Sequence, residues 1–79
     1  MPLYYFDFLD SGGLLVDDEG RELSDLQAVQ TEAARSLIDM ARDSLLDGAG
    51  LIDRIAVQVR GEAGPVMNVG FRFEIEKTN

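Results

Sequence analysis

The chain has 79 residues, 46% of them hydrophobic and 28% charged, which predicts one small folded domain over residues 1–79 rather than a disordered segment. Fifteen acids stand against seven bases, for a formal charge of −8, and such a surface repels phosphate and disfavours general nucleic-acid binding. There is no cysteine and no histidine, so disulfides, thiol nucleophiles, the two commonest zinc ligands and the usual general base near neutral pH are excluded.

Leu3 to Leu9 reads as a strand. Tyr4, Phe6 and Phe8 share one face, and Leu3, Tyr5, Asp7 and Leu9 share the other. Both faces are mostly apolar, as expected of a central or covered strand. Asp10-Ser11-Gly12-Gly13 reads as a tight turn. Leu14 to Asp17 reads as a second strand, with Leu14 and Val16 on one face. A second turn follows at Asp18-Glu19-Gly20-Arg21.

A helix is predicted from Asp25 to Leu46. Ser24 and Gln27 have the spacing of a capping box, and Asp25 suits the positive end of the helix dipole. At 100° per residue, Leu26, Val29, Ala33, Leu37, Met40, Ala41 and Leu45 form an apolar stripe. Glu32, Arg35, Asp39, Arg42 and Asp43 lie opposite, with Arg35 and Asp39 spaced to pair. Ala34 and Ile38 extend the stripe along one flank, which suggests a wide contact or a partner. Gly48 or Gly50 is expected to cap the end.

Ile52 to Arg60 alternates as a third strand, with Ile55, Val57 and Val59 on one face. Gly61 to Pro65 reads as a hairpin loop. The fourth strand carries Met67, Val69, Phe71, Phe73 and Ile75 on one side and Asn68, Gly70, Arg72, Glu74 and Glu76 on the other. Lys77-Thr78-Asn79 is expected to fray. The predicted fold class is α+β: ββαββ, a four-stranded, mostly antiparallel sheet with one long helix on one face. Order 2-1-3-4 is preferred, and 2-1-4-3 is the alternative.

No nucleotide-binding glycine motif occurs, and no cofactor or catalytic residue is expected. Asp17, Asp18 and Glu19 are weak candidates for a divalent cation, since hard cations want several carboxylate oxygens; a solvated turn is the plainer reading. The outer sheet face is expected to carry Leu3, Tyr5, Leu9, Leu15 and Ala56, with Gly70 leaving room for a ring. An apolar patch there suggests a homodimer, through that face or through a sheet edge, or a protein partner, and scattered tolerated residues are the alternative. An acidic mimic of nucleic acid is a further expectation from the charge. The start of the chain lacks a basic, apolar leader pattern, and no apolar run reaches the ~20 residues of a membrane helix. A cytoplasmic protein without membrane contact is the expectation.

Tyr4-Tyr5-Phe6-Asp7 after Met1-Pro2, then Asp17-Asp18-Glu19-Gly20, Leu23-Ser24-Asp25-Leu26, Val57-Gln58-Val59-Arg60 and Glu62-Ala63-Gly64-Pro65-Val66 together resemble a family of small alpha-proteobacterial proteins of unknown function. Its members begin Met-Pro-x-Tyr-Phe-Phe-Asp. The resemblance implies a shared fold but no activity. The turn at Gly20 before Glu32-Ala33-Ala34 is also similar to antitoxin domains of the HicB type. Many such antitoxins append a DNA-binding segment, and none is expected within these 79 residues.

Overall fold

In the computed structural model, which describes residues 1–10, 12–47, 52–74 and 78, the elements run β1 (Leu3–Asp10), β2 (Gly13–Leu15), β3 (Arg21–Glu22), α1 (Leu26–Asp47), β4 (Ile52–Gly61) and β5 (Gly64–Glu74). The class is α+β, one helix on an antiparallel sheet. The sheet order is β2-β1-β4-β5, with β3 also paired to β1. Apart from β3, this places the strands as in the 2-1-3-4 arrangement. The expected four-strand count is corrected to five, because Arg21 and Glu22 pair with Tyr4 and Leu3 where a turn alone was expected. The expected glycine cap at Gly48 or Gly50, the turn residue Ser11, and Ile75 to Lys77 lie outside the described residues. So does the side chain of Leu45.

The sheet is built outward from β1. One edge of β1 pairs with β4 over Tyr5 to Leu9. The other edge is shared: β2 takes Phe8 to Asp10, and β3 takes Leu3 and Tyr4. β4 and β5 form a long hairpin whose register shifts at Val59/Arg60. There Arg60 faces Pro65 while Val59 faces Met67, so Val66 is the extra residue of a bulge.

Period-2 and period-3.6 patterning together determine the core. Phe6, Ile55, Val57 and Val59 from the sheet meet Val29, Ala33, Leu37 and Ala41 from the helix, all buried. Tyr4, Phe8, Met40, Met67 and Val69 pack around them. Each large side chain so buried contributes about 1.5–3 kcal/mol.

The helix departs from expectation at three places. Its cap is Asp25, whose Oδ1 accepts the Ala28 N–H at 2.8 Å, and the first helical bond runs from Val29 N–H to the Asp25 carbonyl. Ser24 therefore lies one residue too early for the capping role. Leu26 is exposed rather than part of the core, because the buried stripe begins at Val29. The flank ion pairs are Arg35 with Glu32 at 3.6 Å and Arg42 with Asp39 at 3.8 Å, not Arg35 with Asp39. No helix among the described residues is long and apolar enough to cross a membrane.

Candidate functional site

β2 and β3 leave a gap along β1 opposite Tyr5 to Asp7. The segment Val16 to Gly20 crosses that gap without forming a strand, and Asp17 replaces the missing pairing. Its Oδ2 accepts the Phe6 N–H at 3.1 Å. Its Oδ1 accepts the N–H groups of Glu19 and Gly20 at 3.0 and 3.2 Å. Its own N–H donates to Asp7 Oδ1 at 2.8 Å.

Asp7 is the one buried charged side chain among the described residues. Arg60, on the neighbouring strand, donates Nε to Asp7 Oδ2 at 3.0 Å and Nη2 to the Asp17 carbonyl at 2.7 Å. The guanidinium also lies over the Tyr5 ring, 4.4 Å from its centre. Burial pushes the Asp7 carboxyl up, but the hydrogen bonds from Arg60 and from Asp17 N–H, with the Arg60 charge, outweigh it. The net position is below the ordinary carboxylate value. Asp17 shifts the same way: burial raises it, and the N–H groups of Phe6, Glu19 and Gly20 lower it further than burial lifts it.

This clamp uses the acidic turn's own donors and acceptors. Both oxygens of Asp17 are engaged by backbone N–H groups, and Asp18 and Glu19 point to solvent. No group of three or more metal-ligating side chains that could hold an ion occurs among the described residues. The turn is an internal brace. The sequence signal for it was the lone acid in the apolar run Tyr5-Phe6-Asp7-Phe8, a position that demands a buried partner.

The outer face differs from expectation in one residue. Leu9 faces Leu14 on one side and Ala56 on the other, and Ala56 faces Gly70. Leu14, not Leu15, therefore completes this row. Leu15 faces Phe8 and so belongs to the helix side of the sheet. Leu3 and Tyr5 are half-buried, because the Gly20 turn rests against both and Arg60 covers the ring. Gly70 has open space where a side chain would stand. The next row holds Arg54 opposite Arg72, and Glu74 offsets the latter's charge at 3.6 Å.

Apolar exposure concentrates at the two edges of the sheet. On the β2 edge, Leu14, Leu15 and Val16 are 53%, 69% and 57% exposed. Phe8, Leu14, Leu15 and Met40 line an open groove of about 480 Å³ there. On the β5 side, Phe71 is 39% exposed and packs at a tilt against Phe73, ring centres 6.0 Å apart. The rows expected to bury Phe71 thus leave it partly bare. Ile38 on the helix is 60% exposed. The apolar flank at Ile38 is visible in the sequence, whereas Phe71 as an edge feature is visible only in three dimensions, since alternation alone assigns it to the core.

No curated protein matches the chain significantly, nor does any solved structure. Residues 3–72 match the family described as a domain of unknown function (DUF6894), and the chain, matched over most of its length, belongs to that family.

Proposed function

We propose that the protein is a non-enzymatic interaction module that associates with a second copy of itself. One observation carries this reading: large apolar side chains stand exposed at both edges of the sheet, Leu14, Leu15 and Val16 at one and Phe71 at the other. An open strand edge offers unpaired N–H and C=O groups, and exposed apolar area beside it adds the hydrophobic contribution that strand pairing alone lacks. The missing histidine and cysteine, together with the engaged oxygens of Asp17, support a binding role over a catalytic or cation-binding one. The Tyr4–Asp7 and Asp17–Gly20 motifs and the lack of cysteine support an alpha-proteobacterial source and a cytoplasmic site of action.

Light scattering across a concentration series tests the reading. A mass approaching twice the 8.7 kDa of one chain at tens of micromolar is expected. A mass of one chain throughout that range contradicts self-association.

A further inference from the structure

We infer that β5 is the edge that pairs, antiparallel and two-fold, with β5 of a second copy, forming one continuous sheet with both helices on the same face. This rests on the self-association reading above and names its surface.

β5 is the terminal strand of the sheet, and among the described residues no strand pairs with its outer side. It is 11 residues long. Two guards of a lone edge, Pro65 and the bulge at Val66, stand near its start, and from Met67 to Phe73 it holds no lysine and no inward-pointing charge. Pairing on this edge would extend the alternation already present, with Met67, Val69, Phe71 and Phe73 toward the helix side.

The helix supplies the second half of the surface. α1 packs over β4 and β5. One of its flanks is fixed by contacts: Glu32 meets Arg21 of β3, and Met40 lines the groove with Phe8 and Leu15. Those residues face β1, β2 and β3. Ala34 and Ile38 lie on the opposite flank, at 100° steps from Leu37 and Ala41, and so look toward the β5 side. Strands lie about 4.8 Å apart. Two helices, each seated over its own β4–β5 hairpin, would then stand about 10 Å apart across a β5–β5 junction, close to the 8–10 Å of packed helices. Ile38, at 60% exposure, and Phe71, at 39%, would both be covered.

Charge selects β5 over β2 as the self-pairing edge. The surroundings of β2 carry Asp10, Asp18, Glu19 and Glu22, all exposed, and Arg21, the base among them, is bound to Glu32. Two copies meeting there would set like charges together. The β5 side carries charges of both signs rather than an acidic cluster. Arg72 pairs with Glu74, and on the helix Arg42 pairs with Asp39.

The test compares Ile38→Glu, Phe71→Glu and Leu14→Glu with the parent chain by light scattering, with circular dichroism melts confirming that each variant folds. Ile38 is mostly exposed, so its variant reads association without the core. The expected result is a parent dimer, association weakened by about tenfold or more in Ile38→Glu and Phe71→Glu, and an unchanged dimer in Leu14→Glu. A parent that stays monomeric at tens of micromolar overturns both this inference and the self-association reading. A parent dimer that Leu14→Glu disrupts, or that the two β5-side variants leave intact, overturns the β5 assignment and leaves self-association standing.

Discussion

Asp7 is a carboxylate placed in an apolar strand, and the fold accommodates it by surrounding it with donors. Removing it orphans the Asp17 N–H that it accepts at 2.8 Å and leaves Arg60 without its carboxylate. Asp7→Ala is expected to cost about 2 kcal/mol in a denaturant titration. The pH dependence follows from the same bonds. Asp7 and Asp17 both sit below the ordinary carboxylate value in the folded state, so the unfolded chain binds protons more readily. Their contribution is fully present above the unfolded value, about 3.9, and is lost as pH falls through the depressed folded values. Asp7→Ala should therefore flatten the acid limb of a stability-versus-pH curve and leave the neutral limb's slope unchanged. Gly20 is the second residue-level constraint. Its φ is +76°, and an added Cβ would come within 3.0 Å of Tyr5 Cε1 and 3.1 Å of Leu3. Gly20→Ala is expected to lower stability by about 1–3 kcal/mol, read as a fall in melting temperature. The need for a partner at Asp7 could be seen in the run Tyr5-Phe6-Asp7-Phe8. Its identity could not, because Asp17 and Arg60 are distant in sequence and meet only after β1 pairs with β4.

Among the elements, the strongly periodic segments were legible and the local closures were not. Alternation identified β1, β4 and β5, and a 3.6-residue period identified α1. Errors arose where a single residue sets phase. The pairing of Asp10 with Gly13 fixes the β1–β2 hairpin so that Leu14, rather than Leu15, meets Leu9; shifting parity by one exchanges the faces. β3 was missed because two residues carry no periodicity, and its strand-like role depends on Tyr4 and Leu3 being in place. The helix cap shows a competition between neighbours. Ser24 and Asp25 are both good caps, and the carboxylate of Asp25 is the one that reaches Ala28 N–H. Asp25→Ala should destabilise the protein by about 1 kcal/mol, while Ser24→Ala should change it little; paired thermal melts separate the two.

At the scale of the whole molecule, the chain is long and thin, 53 × 22 × 17 Å with a radius of gyration of 14.1 Å. A compact chain of this length would have a radius near 11.6 Å, or roughly 2.2·N^0.38. One helix cannot cover a five-stranded sheet of these proportions, so apolar side chains remain bare along both edges. A second copy on β5 would broaden the sheet and let each helix shield the other's exposed flank. Amide hydrogen exchange followed against protein concentration tests this most directly. Protection in Val66 to Glu74 should rise as concentration increases through the micromolar range, while amides of Gly13 to Leu15 keep constant rates. Exchange in β5 that is indifferent to concentration, or protection that grows at β2 instead, would contradict the account.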